Sequence, residues 1–294
     1  MKKLWLLPVL ALTIVSCDSE NKGNTITQNF TNGFNYVVDM VSSSDEVFID
    51  DEVGYEMTFN YDNNTADIAI TSLQLSADQS NMSVNLTSLP WTYTEEGFRQ
   101  IYVSNLTVGL NTTISNFRLV LMDRNIYMST GYAYSPVISI SYTVDGRYQV
   151  TAFMRTYIYV DNSTRVTNVA DGSVYTPKNG TVYGVVLDPK KLKASLLIDG
   201  AVFAAGMEAH PVQMTFPELN VKLSSSGYTL TCDETIPTVT EGDKSVPYEA
   251  FKITDFTGYA SLYGSTSLSY RCANRGNPCD VSTDLDYFTQ STSN

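Results

Sequence analysis

The chain has 294 residues, of which 43% are hydrophobic and only 17% charged, with 31 acidic against 18 basic side chains and a formal net charge of −13. That length suggests about two domains and that hydrophobic fraction is enough to build real cores. From Cys17 to Phe153 there are 16 acidic against 5 basic residues, and from Met154 to Asn294 15 against 11. Neither half offers the basic face that a phosphate backbone requires, so nucleic acid is excluded as a partner.

The chain opens with Lys2 and Lys3 and an apolar run from Leu4 to Val15 broken by Pro8 and Thr13. This is the layout of a secretory signal. Twelve helical residues reach about 18 Å, short of a hydrocarbon core of about 30 Å, so the run is a poor membrane span. No small-residue cleavage site follows. Instead Ile14-Val15-Ser16 leads straight into Cys17, then Asp18, Ser19 and Glu20. The segment resembles the lipobox of bacterial lipoproteins. The resemblance implies a signal peptide over 1–16, cleavage before Cys17 and a diacylglycerol on its thiol, hence a membrane partner through an N-terminal lipid anchor. Asp18 and Glu20 look like the export signals of outer-leaflet lipoproteins in some Gram-negative bacteria, which implies an outer-membrane address at the cell surface, with the periplasm-facing leaflet as the alternative. Residues 17–29 are polar and read as a lipidated tether.

From there the period is two. The runs "YEMTFNY" (55–61), "ADIAITSLQLS" (66–76), "MSVNLTSL" (82–89), "FRLVLM" (117–122), "VISISYTV" (137–144) and "YQVTAFM" (148–154) alternate apolar and polar residues between Asn-, Asp- and Gly-rich turns, which predicts an all-β protein. Asp145-Gly146 predicts a type I′ hairpin turn. "DPKKLKASLL" (188–197) carries helix-start signals. An internal comparison argues against a helix there. Sliding the chain by 128 residues pairs Tyr55 with Tyr183, Ala66 with Ala194, Ile70 with Ile198, Val84 with Val212 and Leu86 with Met214, and sets "DPKKLKA" against the turn-forming "NYDNNTA".

The match resumes at an offset of 150, with "VSNLTVGL" (103–110) against "ITDFTGYA" (253–260), after an insertion around "ETIPTVTEGDKSVPYEA". The expected architecture is two homologous tandem antiparallel β domains, over 30–135 and 136–280, with a polar tail over 281–294. Each is a sandwich or a small barrel, which alternation alone does not separate. Tandem β domains on a lipid tether broadly resemble the surface lipoproteins of Gram-negative gut-type bacteria, some glycan-binding and some fimbrial.

Chemistry is mostly excluded. The single histidine, His210, sits beside Pro211 without a G-x-S-x-G motif elsewhere and pairs with Met82 in the repeat, so no catalytic residue is expected. No C-x-x-C or H-E-x-x-H marks a metal site. "DVSTDLD" (280–286) is acidic but lacks the glycine and terminal glutamate of a calcium loop. No cofactor is expected. The acidic pairs Asp45-Glu46, Glu95-Glu96 and Asp233-Glu234 and the run Asp50-Asp51-Glu52 read as solvated turns.

Trp91 and Tyr93 pair with Leu219 and Val221 and read as core. Tyr127, Tyr132, Tyr134, Tyr157 and Tyr159 have no repeat counterpart and are the candidate ligand-binding aromatics. Cys272 and Cys279 bracket the turn-rich "ANRGNP" and form the candidate disulfide, with Cys232 to Cys272 as runner-up. These readings point to a non-catalytic surface protein for binding or adhesion, its partner a glycan or another surface protein. A barrel-like carrier of a small apolar ligand is the alternative, and a carboxylate-only glycoside hydrolase comes last.

Overall fold

The computed structural model describes residues 24–42, 47–109, 112–122, 125–128, 131–134, 136–161, 163–178, 180–241, 244–262 and 266–285. The leader, Cys17 and the tether up to residue 23 lie outside the described residues, as does the tail beyond 285. The fold is nearly all β, built as two curled antiparallel half-barrel sheets.

The first copy contributes β1 (Thr25–Phe30), β2 (Gly33–Asp39), β3 (Val47–Asp50), β4 (Gly54–Asn60), β5 (Thr65–Leu73), β6 (Met82–Tyr93), β7 (Arg99–Val108), β8 (Thr112–Met122), β9 (Asn125–Met128), β10 (Gly131–Tyr134), β11 (Val137–Val144) and β12 (Tyr148–Met154). The second contributes β13 (Thr156–Asp161), β14 (Arg165–Asn168), β15 (Val174–Tyr175), β16 (Thr181–Asp188), β17 (Lys193–Ala201), β18 (Val212–Ser224), β19 (Gly227–Thr235), β20 (Thr238–Glu241), β21 (Lys244–Pro247), β22 (Ile253–Ser261), β23 (Thr266–Cys272) and β24 (Cys279–Leu285).

The first sheet runs β1-β4-β5-β6-β7-β8-β11-β12-β2-β3 and the second β13-β16-β17-β18-β19-β22-β23-β24-β14-β15. Position by position these are the same order, so the duplication extends over ten strands. Each copy adds one hairpin of its own. The first has β9–β10, and the second has β20–β21, both strands of which lie within the inserted "ETIPTVTEGDKSVPYEA". In the second unit the sheet curls until β13 lies against β24.

The register shows where the repeat holds and where it slips. β4–β5 pairs Tyr55 with Ile70 and Phe59 with Ala66, while β16–β17 pairs Tyr183 with Ile198 and Leu187 with Ala194, 128 residues on. "DPKKL" closes that hairpin as a turn, with Leu192 at φ 51° where the first copy has Asn64 at 54°. β-bulges recur at Ala66/Ile68 and Ile70/Leu73 in one copy and at Ala194/Leu196 and Ile198/Ala201 in the other.

Beyond this point the expected pairing is corrected. Ile68 faces Leu86, and its equivalent Leu196 faces Phe216, so Leu86 corresponds to Phe216 and not to Met214. The connection before β18 is two residues longer than the one before β6. An even shift keeps every side chain on its face, which is why the alternation concealed it. The 150-residue block slips by a whole strand, because 103–110 lies on β7, the equivalent of β19, whereas 253–260 lies on β22, the equivalent of β8.

The domain boundaries also move. β11 and β12 belong to the first sheet, so the sheets change hands between Met154 and Thr156 and not at 135/136. Strand β1 begins at Thr25, inside the segment read as tether, and β24 runs to Leu285, inside the segment read as tail. By packing, the described residues up to 120 together with 140–153 form one compact unit, and the described residues of 121–139 and of 154 to 285 form the other.

Inward positions fill each core with aromatics. Phe117 stacks on Tyr142 at 5.8 Å in the first unit, and Phe256 on Tyr270 at 6.0 Å in the second. Phe216, fully buried, packs edge-on against both Phe256 and Tyr270. Each such side chain contributes about 1.5–3 kcal/mol through burial. Gly258 is required by close packing, since a Cβ there would lie 2.7 Å from Leu268 Cδ2. The Asp145-Gly146 turn has φ of 51° and 63°, with the Arg147 N–H donating to the Val144 carbonyl, as a type I′ turn demands.

Candidate functional site

The outward face of the second sheet carries an open groove of about 640 Å³ over β19, β22, β23, β24 and β14, polar and apolar in equal measure. These strands alternate strictly. Leu230, Phe256, Leu268 and Val281 point inward and are buried, so the residues between them face out. The antiparallel register aligns the outward residues into rows that cross the strands. One row runs Thr231, Thr257, Ser269, Ser282 and Arg165. The next runs Thr229, Tyr259, Ser267 and Asp284.

Within the first row Thr257 Oγ1 and Ser269 Oγ lie 2.8 Å apart in a mutual hydrogen bond. Ser163 Oγ donates to the Asp284 carbonyl at the groove's edge. Tyr259 is 41% exposed. Beyond the first row, Arg271 forms a two-pronged ion pair with Asp280 at 2.7 and 3.1 Å, which raises the Arg271 pKa further above its ordinary range.

The groove is therefore lined by hydroxyls, each one donor and two acceptors, with one exposed aromatic ring and one charge of each sign. It can hold a hydroxyl-bearing ligand by hydrogen bonds and a ring face by stacking. A β-bulge in β22 between Thr254 and Thr257, with Asp255 at φ 55°, bends the strand beside the first row.

The expected tyrosines lie elsewhere. Tyr157 and Tyr159 are buried, at 1% and 0% exposure, and the Tyr159 hydroxyl is 2.8 Å from that of Tyr228. They are interior residues and not a surface. Tyr159 faces Tyr183 as the core residue Phe30 faces Tyr55, so it does have a repeat counterpart. Tyr127 and Tyr132 are paired across the β9–β10 hairpin, and Tyr134 pairs with Asn125.

Trp91 is core, its Nε1–H donating to the Asn60 carbonyl, but Tyr93 is 57% exposed at the end of β6. Their equivalents are Val221 and Leu223 rather than Leu219 and Val221, because the same two-residue shift applies.

Other candidates resolve into structure. His210 is exposed and its backbone N–H is bonded to the Met207 carbonyl, at the entry to β18. The segment "DVSTDL" forms β24, with Asp280 committed to Arg271, so it is not a calcium loop. Among the described residues no group of three or more His, Cys, Asp or Glu side chains is placed to hold a metal, and no helix is long and apolar enough to cross a membrane.

Cys272 and Cys279 are direct register partners on β23 and β24, both buried, with hydrogen-bonded thiols. That bond and burial push the Cys272 thiol well up, while Cys279 is lowered as the acceptor. Cys232 is half-buried, opposite Phe256 on β22, and bonds to the Glu234 carbonyl. Strand β22 separates it from β23, which puts Cys272 about two strand spacings, roughly 10 Å, away and beyond bridging range.

No protein-family model matches this chain, and no curated protein matches it in sequence. Two solved structures that it resembles are mutants of the vaccine antigen transferrin binding protein B from Haemophilus parasuis Hp5. The double mutant matches at 8% identity and a TM-score of 0.23, over 90% of this chain and 76% of that one. The single mutant matches at 9% and 0.22 over the same shares. Matches at this TM-score carry no functional weight.

Proposed function

We propose that the chain is a non-catalytic, lipid-anchored lipoprotein of the outer-membrane surface that binds a glycan in the groove of its second unit. The observation that carries this reading is the groove itself, about 640 Å³ of hydroxyl-lined surface with Tyr259 exposed in it. The anchor is Cys17, and Cys272 and Cys279, free thiols facing each other on β23 and β24, would form a bridge on export.

The carrier reading is disfavoured by the void behind the groove in the second sheet. Tyr159, Tyr228, Leu268 and Leu285 close on a void that leaves no room for a water molecule, far from the several hundred Å³ a small-molecule pocket needs. The hydrolase reading is disfavoured by the groove's single carboxylate, Asp284, because glycoside cleavage requires two carboxyl groups flanking the bond.

The test is a glycan array probed with the wild-type protein and with Tyr259→Ala. Wild type is expected to select a set of neutral glycans. The variant should bind them about three- to tenfold more weakly through loss of ring stacking. Its melting temperature should hold, since an exposed substitution changes stability by about 0.5 kcal/mol or less. Undiminished binding by Tyr259→Ala would place the site elsewhere.

A further inference from the structure

Resting on that reading, we infer that the groove takes an internal stretch of an unbranched, neutral oligosaccharide, about four sugars long, lying across the strands rather than along them. The first row sets one hydroxyl or guanidinium on each of five neighbouring strands, from Thr231 on β19 to Arg165 on β14. Strands in a sheet are about 4.8 Å apart, so the row spans four spacings, about 19 Å. That repeat is close to the length of one sugar ring. A chain laid along the row meets a fresh hydrogen-bonding side chain at nearly every sugar.

The second row runs parallel to the first on the same face of the sheet, with Tyr259 on β22, next to β19, to stack on one ring. The charges fit the same ligand. In a chain of net charge −13, the groove holds Arg165 and Asp284 and so sums to zero. An anionic glycan has only Arg165 to pair with, and a cationic one only Asp284.

Serine and threonine facing out from strands are common on solvated sheets, so the hydroxyls alone decide little. The duplication supplies the comparison. At the equivalent positions the first copy has Tyr102 and Arg118 for Thr231 and Thr257, Val120 for Tyr259, Ser139 and Ser141 for Ser267 and Ser269, Thr151 for Ser282 and Phe153 for Asp284. Val120, Thr151 and Phe153 are buried, and Phe153 stacks on Phe34 at 5.4 Å. One fold thus carries two treatments of the same face. In the first copy Val120, Ser139, Thr151 and Phe153 are buried and only the Tyr102 and Arg118 end is exposed, whereas in the second Thr257, Tyr259, Ser267, Ser269, Ser282 and Asp284 are all exposed.

Isothermal titration of the lipidated full chain in detergent micelles, against unbranched α-1,4-glucan, β-1,4-glucan and β-1,4-mannan oligosaccharides of one to six sugars and uronic-acid oligomers of the same lengths, tests the inference. For the series that binds, affinity should rise about three- to tenfold with each sugar up to four and then level off. The double variant Thr257→Val/Ser269→Ala should bind the tetrasaccharide about tenfold more weakly and leave the single sugar unchanged. Equal affinity for one and four sugars would overturn the extended mode while leaving glycan binding standing. A preference for uronic-acid oligomers over the neutral series would overturn the neutral class. Failure of every oligosaccharide to bind would overturn the proposed function and this inference with it.

Discussion

Cys17→Ala should abolish incorporation of labelled fatty acid into the protein. A single myristoyl-sized chain holds a protein to a membrane only marginally, and a second makes anchoring stable. The diacylglycerol thioether brings two chains through one sulfur, so losing that sulfur removes the whole anchor rather than weakening it. The 12 residues from Leu4 to Val15 are too short to replace it as a membrane span. Mass spectrometry of the wild-type N-terminus should find a chain that begins at acylated Cys17. Fatty-acid labelling that persists in the variant, or a mature chain that starts elsewhere without an acyl mass, would remove the anchor from the account.

The second large effect concerns Cys272 and Cys279. Thiol–disulfide exchange with an oxidising dithiol protein of the exported compartment would form the Sγ–Sγ bond, with the two thiol hydrogens and two electrons passing to the incoming disulfide. The purified protein should then be lighter by two hydrogens than its reduced form, with Cys232 left as the alkylatable thiol of the three. The bridge closes a loop of eight residues counted from Cys272 to Cys279, which in the chain-entropy model stabilises by about 2–3 kcal/mol. Reduction should accordingly lower the melting transition of the second unit by on the order of 10 °C. Free Cys272 and Cys279 in protein exported through its own leader, or equal melting of the two forms, would contradict the bridge.

How much was legible follows from which signals are local. Alternation and turn chemistry are local, so the strand class, the Asp145-Gly146 hairpin and the turn at "DPKKL" could be read from the residues. The duplication was legible as well, because "YEMTFNY" and "YGVVLDP" place core residues at the same phase. What failed was its bookkeeping. A two-residue insertion leaves the period of two intact, so Leu86 aligned with Met214 as plausibly as with its true equivalent Phe216, and nothing in the alternation distinguishes β7 from β8.

The site was illegible for a related reason. "YTLTC", "FTGYA", "SLSYR" and "DVSTDLD" each show hydroxyls or other polar residues in the outward phase. Only pairing register reveals that Thr231, Thr257, Ser269 and Ser282 fall into one line. Tyr157 and Tyr159 misled because tyrosine in a strand suits a core whose hydroxyls find partners, as Tyr159 does with Tyr228, as well as it suits a surface.

The most direct measurement is a crystal structure of the protein with the array's strongest neutral glycan. The account predicts sugar density across β19, β22, β23 and β24, with one ring over Tyr259 and hydrogen bonds to Thr257, Ser269 and Ser282. Density on the first unit, or inside the second barrel against Tyr159 and Tyr228, would contradict it.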